Sequence, residues 1–402
     1  MRPAPLALAL LVPAVAVAVV AGTAQPGFAK PPAKNAPSPS ASPSASPSAS
    51  PSASTAPVVA TSPSPTPVDV APSASASPSA GALDGVVSTT ADATTTTLST
   101  ATTTTTATVT SAVGPCAVVT DRVVAVASPT ELKAALSAAV PGDRISLADG
   151  VYAGTFALTR SGTALQRIHV CGGPNAVLDG GSVLSGYGFA VKASYVDLVG
   201  FAVTDVQKGI VVDGGAYDVI DGVSVSHIGD EGIHLRTNSH DNTVRNSSVF
   251  GTGLRVAGYG EGVYVGSATN NWCTYTACAP DRSDNNVVQG NRFWSNGAEA
   301  VDIKEGTTGG TVADNTFDGT GSGALSWVDV KGNSWVIRSN KGRVSLRDGF
   351  LTELAATGWG TLNTADVQGP GYGVRVISGN IVACTNIVTG AAKGYSNVAC
   401  VK

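Results

Sequence analysis

Three glutamates recur at one position of a short phrase that is repeated between residues 208 and 331. Glu231, Glu261 and Glu299 each stand first in the phrase, before a small residue and an alternation of apolar and polar residues. The position between the two apolar residues carries His234, Tyr264, Asp302 and Asp329, and the position after them carries Arg236, Gly266, Lys304 and Lys331. Carboxylates, amines, an imidazole and a phenol at a regular spacing could together bind a cation and transfer protons.

The same phrase predicts the fold that would bring these residues together. Its first apolar positions lie 23, 30, 38, 27 and 22 residues apart, at Ile210, Ile233, Val263, Val301, Val328 and Phe350. The alternation is typical of short strands with one buried face, and Gly, Asn and Asp turns separate them. A repeat of this kind predicts an all-β, right-handed parallel β-helix. Asn291, Asn315 and Asn340, at spacings of 24 and 25, fit an internal asparagine ladder at a turn.

Stacked coils would align the outward residues in columns, about 4.8 Å apart from one coil to the next. Three carboxylates so placed repel one another, which raises their pKa values, and a hard cation such as Ca²⁺ would relieve the repulsion. We therefore predict Glu231, Glu261 and Glu299 as metal ligands. The alternative is that these acids cap exposed amides at the turns of the solenoid.

The basic column beside these acids supplies the candidates for proton transfer. We predict Lys304, Arg236, His234 and Tyr264 as catalytic residues, and Lys331, Asp302 and Trp272 as substrate-binding residues. Arg236 would clamp a substrate carboxylate, and His234 and Tyr264 would serve acid–base chemistry one rung apart. The alternatives are a surface ladder of salt bridges between the lysines and Asp302 and Asp329, and a solvated His234.

The N-terminal residues have a different composition from the repeats. An apolar run after Met1-Arg2, followed by small residues, predicts a signal peptide over residues 1–29. Residues 30–114 are rich in Ser, Pro, Ala and then Thr, which predicts a disordered linker because large apolar side chains are scarce. The β-helix domain is expected over residues 115–402. It should begin with a short amphipathic cap helix within residues 128–140.

Six cysteines fall in the predicted domain, which is consistent with an oxidising compartment. Of the 15 possible pairings we favour Cys116–Cys171, Cys273–Cys278 and Cys384–Cys400. The second pair lies in an aromatic insertion, residues 270–284, that would form either one wall of a cleft or a tolerated surface loop.

Most of residues 128–317 resemble one family of β-helix enzymes. The opening segment, with Pro141-Gly-Asp143 and Leu147-Ala-Asp-Gly-Val-Tyr152, is similar to that of chondroitinase B and the related alginate lyases, polysaccharide lyase family six. Glu299-Ala-Val-Asp-Ile-Lys304, followed by Asp314-Asn-Thr-Phe317, resembles the segment with that family's calcium ligand and catalytic lysine. The resemblance implies that Lys304 is the Brønsted base and Glu299 a calcium ligand. The family's catalytic arginine has no counterpart near Val328–Lys331, so Lys331 or Arg236 would have to replace it.

These observations predict a secreted, extracellular enzyme that cleaves an acidic, uronate-containing polysaccharide by Ca²⁺-assisted β-elimination. Two alternatives remain: a glycoside hydrolase, using Asp302 with Asp329 or Glu299, and a non-catalytic carbohydrate-binding or adhesin-like solenoid. A formal charge of −4 without a basic stripe argues against nucleic acid as a partner. We expect a monomer that does not bind membranes once the signal peptide is cleaved.

Overall fold

The computed structural model describes Cys116, residues 122–353 and residues 357–402. The predicted signal peptide and nearly all of the linker and domain start up to residue 121 lie outside the described residues. Within them, three parallel sheets wind into a β-helix, as the repeat predicts. No helix in the described part of the chain has the length and apolar character needed to cross a membrane.

Sheet A has eleven strands, each paired in parallel with the next in the sheet. They are β1 (Arg122–Val126), β2 (Asp143–Leu147), β5 (Ile168–Cys171), β8 (Val196–Val199), β11 (Val219–Asp221), β14 (Thr243–Arg245), β17 (Val287–Gln289), β20 (Thr311–Ala313), β23 (Asn333–Arg338), β26 (Thr357–Thr361) and β29 (Ile381–Val382).

Sheets B and C have ten strands each. Sheet B contains β3 (Gly150–Ala153), β6 (Ala176–Asp179), β9 (Ala202–Thr204), β12 (Ser224–Ser226), β15 (Ser248–Phe250), β18 (Arg292–Trp294), β21 (Thr316–Asp318), β24 (Lys341–Arg343), β27 (Thr364–Gly369) and β30 (Ile387–Ala391). Sheet C contains β4 (Phe156–Leu158), β7 (Tyr187–Val191), β10 (Lys208–Asp213), β13 (Ile233–Arg236), β16 (Val263–Val265), β19 (Val301–Ile303), β22 (Val328–Val330), β25 (Phe350–Thr352), β28 (Tyr372–Arg375) and β31 (Gly394–Ser396). A regular coil therefore runs through sheets C, A and B in turn.

The core fills the interior of the coils, and a helix covers its first end. Ile210, Ile233, Val263, Val301 and Val328 are fully buried, which confirms the predicted inward positions. Helix α1 (Pro129–Ser137) is the predicted cap helix: Ser128 Oγ accepts from the Glu131 amide, and the Glu131 side chain accepts from the Ala127 amide. Its Leu132 and Leu136 are buried in the same core. A second short helix, α2 (Trp272–Tyr275), lies in the insertion.

Two polar ladders fix the coils relative to one another at buried turns. In the first ladder, each asparagine Oδ1 accepts a hydrogen bond from the backbone N–H at the equivalent position one coil earlier. Its members are Asn291, Asn315, Asn340, Asn363 and Asn386. This confirms the predicted asparagine ladder and extends it. The second ladder joins Asp218, Asn242 and Asn286 in the same way. Each ladder satisfies amides that the turn leaves without a strand partner.

All three predicted disulfides are present: Cys116–Cys171, Cys273–Cys278 and Cys384–Cys400. The first joins the start of the described chain to strand β5, and the last closes the end of the solenoid. The described residues contain no free cysteine.

Candidate active site

The outward face of sheet C carries the columns that the sequence predicts. Strand register aligns His234 with Tyr264, Tyr264 with Asp302, and Asp302 with Asp329. The flanking residues of these strands point inward and are buried, so the polar residues between them face outward. One coil, centred on β16, has longer connections than its neighbours on both sides of the strand. Tyr264 therefore lies between two insertions.

Three carboxylates converge beside Tyr264. Oxygen atoms of Glu261, Glu299 and Asp302 all lie within 4.8 Å of one another. Burial raises the pKa of Glu261 well above its ordinary value, and Asp302 and Glu231 raise it further. Burial and then Asp302 likewise raise the pKa of Glu299. The Oε2 atom of Glu261 is buried without a hydrogen-bond partner, as expected of a group that could accept a cation or a proton.

Glu231, the third predicted metal ligand, is engaged elsewhere. Its Oε2 forms an ion pair with the ammonium of Lys208, the first residue of β10. Asp302, predicted as a substrate-binding residue, takes its place among the converging carboxylates. Lys208 was not among the predicted site residues, although a lysine stands there where three later copies of the phrase carry glutamate.

Asp302 connects two lysines. Its Oδ2 accepts from Lys304 Nζ at 2.5 Å, and its Oδ1 accepts from Lys331 Nζ at 2.9 Å. Burial alone would raise the pKa of Asp302, but Lys331 and Lys304 outweigh it and hold that pKa below its ordinary value. Burial acts against the charge of Lys304 too, yet Asp302 raises the pKa of this lysine above its ordinary value. Lys304 is therefore an ammonium in this arrangement.

The ladder continues to Asp329, which accepts from Lys331 Nζ at 2.5 Å. Burial raises the pKa of Asp329 to about 7 against the opposing charge of Lys331. Its Oδ1 is buried and has no hydrogen-bond partner. The salt-bridge ladder foreseen for these residues is thus present, but it is largely buried: the Lys304 and Lys331 side chains are only 14% and 13% exposed.

The Tyr264 ring contacts both His234 and Lys304. The His234 and Tyr264 rings meet edge to face with centroids 4.4 Å apart, and Lys304 Nζ lies 4.8 Å from the Tyr264 centroid. Burial, followed by Asp302 and Glu261, raises the pKa of Tyr264 well above its ordinary value, so its phenol keeps its proton. Burial, with Lys208 and Arg236, lowers the pKa of His234 well below its ordinary value. The neutral imidazole donates from Nε2 to the Gly266 carbonyl at 3.0 Å.

Arg236 is held by the protein itself. Its Nε donates to Asp213 Oδ1 at 2.6 Å, and its Nη1 and Nη2 donate to the hydroxyls of Tyr275 and Tyr187 at 3.1 and 3.3 Å. The Tyr275 ring also covers the guanidinium, 4.3 Å from its carbon to the ring centroid. With its donors so engaged, Arg236 is better placed to position the insertion than to clamp a substrate carboxylate. Tyr187 and Asp213 were not identified from the sequence.

The disulfide-closed insertion packs beside the C-terminal ends of strands β13 and β19. Besides the Tyr275 contact, Trp272 Nε1 donates to the Ser267 carbonyl at 2.9 Å, and Thr269 is bonded to Glu305, directly after Lys304. The fully buried Asp281 accepts from the amides of Thr237 and Asn238. These contacts place the insertion beside Arg236 and the strand that carries Lys304, where the cleft-wall interpretation requires it.

A second wall precedes β16 and was not predicted. Residues 251–260 include a 3-10 helix, Ala257–Tyr259, and are anchored by Arg255, whose Nη2 lies 2.6 Å from Asp230 Oδ2. Leu254 and Tyr259 are about half exposed, at 49% and 57%. The signal in the sequence was the spacing of 30 between Ile233 and Val263, against 23 for the preceding pair.

Comparison with known proteins agrees with the fold. Residues 120–298 match the family model described as "Pel9A-like, right handed beta helix region". The crystal structure of pectate lyase Pel9A is similar over 67% of this chain and 79% of that chain, at 19% identity and a TM-score of 0.50, which is a likeness of fold. No protein of curated function matches the chain in sequence. Together the fold and the family model identify the class as a right-handed β-helix protein.

A further structure defines the family. The alginate lyase from Paenibacillus sp. str. FPU-7 shares 37% identity, covering 69% of this chain and 98% of that chain, with a TM-score of 0.62. The chain belongs to the family of β-helix polysaccharide lyases represented by that enzyme. The resemblance inferred from the sequence, to β-helix polysaccharide lyases, is thereby confirmed, and the identification as a lyase gains support over the hydrolase and binder alternatives.

Proposed function

We propose that the protein cleaves a uronate-containing polysaccharide by β-elimination on the outward face of sheet C, with alginate as the first candidate. The observation that carries the proposal is the contact between Lys304 and Tyr264 above a cluster of carboxylates, between two insertions of one coil. The likeness to an alginate lyase, which covers 98% of that enzyme and 69% of this chain, supports the choice of substrate.

The elimination needs a base for the proton on carbon 5, a cation for the adjacent carboxylate and an acid for the departing oxygen. In this proposal Lys304 Nζ takes the proton, Tyr264 donates its phenolic proton to the glycosidic oxygen, and Lys331 pairs with the substrate carboxylate. The carbon–oxygen bond breaks as the double bond between carbons 4 and 5 forms. The proton gained by Lys304 then returns to the Tyr264 phenolate beside it, which restores both groups.

Lys304 must lose a proton before it can act as a base. A Ca²⁺ held by Glu261, Glu299 and Asp302 would offset the negative charge that raises the pKa of Lys304, which would favour that loss. His234, which is neutral and buried, supports the Tyr264 ring from its edge. In this scheme His234 and Arg236 are positioning residues, whereas Trp272 and Tyr275 belong to the wall that confines the sugar chain.

The residues present also fit a bound Ca²⁺. Glu261, Glu299 and Asp302 offer three carboxylate oxygens close together, and the buried Oε2 of Glu261 lacks any other partner. Ca²⁺ prefers such oxygen ligands and would supply positive charge for the substrate carboxylate. Glu231 remains a second-choice ligand because its carboxylate is paired with Lys208.

We further propose that the enzyme is secreted. The three disulfides agree with an oxidising compartment. In this proposal residues 1–29 direct export, residues 30–114 form an extended linker, and residues 115–402 form the catalytic domain. Detection of the mature protein in culture medium, with its N-terminus at or before residue 30, would test the assignment.

The test of function is ultraviolet absorbance of the new double bond, with alginate, pectate and sulfated glycosaminoglycans as substrates. We expect wild type to act on a polyuronate, and Lys304→Ala and Tyr264→Phe to lose at least about 100-fold in kcat. Lys341→Ala, an exposed lysine on sheet B, is the matched control and should retain activity. Reducing ends without absorbance would indicate a hydrolase, and binding without either product would indicate a carbohydrate-binding protein.

A further inference from the structure

Sheet C continues beyond the candidate active site to a group of cations. Strand register continues the outward column from Asp329 to Leu351 and then to Arg375 on β28. Beside Arg375 lie Arg347 and the buried Asp348, two residues before Phe350. We call Arg347, Arg375 and Lys393 the end cluster.

One carboxylate serves both arginines of the end cluster. Asp348 Oδ2 accepts from Arg347 Nε at 2.7 Å, whereas Arg375 Nη1 is 3.8 Å away, beyond hydrogen-bonding distance. Asp348 Oδ1 is already used by the Tyr372 amide at 2.8 Å. The Arg375 side chain is 45% exposed, so its donors are available for a ligand from solvent.

Lys393 adds a third cation at the same end. Its Nζ lies 5.8 Å from the centroid of Tyr372, the residue that follows Asp348 in its column, one coil later. Three cations and one carboxylate leave a net charge of +2 among these four residues. Around the candidate active site the formal charge is negative, because two lysines, Lys304 and Lys331, lie among four carboxylates. These are Glu261, Glu299, Asp302 and Asp329. Glu353, directly after strand β25, raises the pKa of Asp329 by its negative charge.

We propose that the end cluster is a distal subsite that binds a carboxylate of the same polysaccharide chain, several sugars away from the bond that is cleaved. Arg375 lies four strands beyond Tyr264 in sheet C, which is about 19 Å at the usual strand spacing. A guanidinium with free donors matches a carboxylate in shape and charge. A polyuronate along the sheet would present one carboxylate per sugar to this end. The inference rests on the proposed function, since it takes the polymer to be a polyuronate lying along sheet C.

The test compares long and short oligouronates of the type that wild type cleaves. Arg375→Ala should raise KM for an octasaccharide about three- to fivefold with kcat unchanged, and leave a trisaccharide unaffected. The Arg347→Ala/Arg375→Ala double variant should raise KM for the octasaccharide further. The single substitution Arg375→Lys should raise it less than Arg375→Ala does. The loss should shrink as salt is added, because the contact is exposed and ionic.

Arg338→Ala is the matched control. Arg338 is 43% exposed, and its Nη1 is also 3.8 Å from a carboxylate, that of Asp314. It lies on sheet A rather than on sheet C. Its substitution should leave both KM values unchanged. Equal effects of Arg375→Ala on the long and short substrates, or none on either, would overturn the proposal.

A readout that does not need catalysis separates this inference from the proposed function. Retardation of wild type in gels that contain polyuronate should be weakened in the Arg347→Ala/Arg375→Ala variant and kept in Arg338→Ala. If no polyuronate yields an unsaturated product but this pattern is seen, the lyase assignment fails and the end cluster stands. If wild type and the double variant migrate alike, the end cluster is refuted whatever the catalytic result.

Discussion

Asp218 occupies a place in the second polar ladder where the next two coils use asparagine. Its Oδ1 accepts from the Val196 amide at 2.8 Å, but its Oδ2 has no partner. The asparagines use the corresponding amide to donate to a carbonyl of an earlier coil, as Asn242 does to Gly215 at 3.1 Å and Asn286 to Ser239 at 2.8 Å. Burial, against the opposing Val196 amide and Arg167, raises the pKa of Asp218 to about 8 from 3.8.

The folded state therefore favours the protonated carboxyl, and ionisation works against folding. The contribution of Asp218 is complete below pH 3.8, declines as the pH rises from about 4 to about 8, and is then constant. At 1.36 kcal/mol per unit, the loss relative to acid pH is roughly 4 kcal/mol at pH 7 and at most ~6 kcal/mol at pH 9. Asp218→Asn removes this pH-dependent loss of stability and adds a side-chain N–H donor at all pH values.

We expect Asp218→Asn to raise the melting temperature little at pH 4 and by the order of 10 °C at pH 9. The assay is thermal unfolding followed by circular dichroism from pH 4 to pH 9. Asp221→Asn is the control, because Asp221 Oδ2 is paired with Arg245 Nη2 at 2.9 Å and its loss should destabilise the protein at pH 9. If the difference in melting temperature between wild type and Asp218→Asn is the same from pH 4 to pH 9, the reasoning about Asp218 is refuted.

Three further predictions concern the active site. Asp302→Asn removes the carboxylate 2.5 Å from Lys304 Nζ; it should lower the pKa of that lysine and move the rising limb of the kcat–pH profile to lower pH by about one unit. Removing divalent cations with a chelator should abolish activity, and Glu261→Gln should raise the Ca²⁺ concentration needed for half-maximal rate, measured by titration at fixed substrate. Tyr275→Phe breaks the hydrogen bond from Arg236 and should raise KM about tenfold at nearly constant kcat, measured by steady-state kinetics.

Each of these has a contrary result. A kcat–pH profile unchanged or moved to higher pH in Asp302→Asn, at saturating Ca²⁺, would exclude neutral Lys304 as the base. Full activity in chelator would remove Ca²⁺ from the proposal. A Tyr275→Phe variant that loses kcat rather than substrate affinity would place Arg236 among the catalytic residues.

The repeat made the fold predictable, because each phrase needs only its neighbours in adjacent coils to bury its apolar face. The spacing of Ile210, Ile233 and Val263 identified the strands of sheet C, and the alternation fixed which residues face outward. The asparagine ladder followed from spacing in the same way. The second ladder was missed because Asp218, Asn242 and Asn286 are interrupted by the insertion, which lengthens the last interval.

Which charges pair could not be predicted from columns alone. Glu231 and Glu261 occupy equivalent positions, yet one forms an ion pair with Lys208 and the other turns to Glu299 and Asp302. The choice depends on which cation reaches over from an adjacent coil, here the preceding one, and side-chain length and direction decide that. The contacts of Arg236 with Tyr187 and Tyr275 could not be predicted, because both tyrosines are distant in the sequence and one lies in an insertion.

Both walls of the cleft are extensions of the same coil, placed at the two corners that flank β16. The strand keeps its register with β13 and β19 despite them. The pairing of β16 with its neighbours thus tolerates long connections at both corners, residues 251–260 and the insertion at residues 270–284. Variation in the length of these corners would change the space beside Tyr264 and Lys304 while the strands that carry the two residues keep their register.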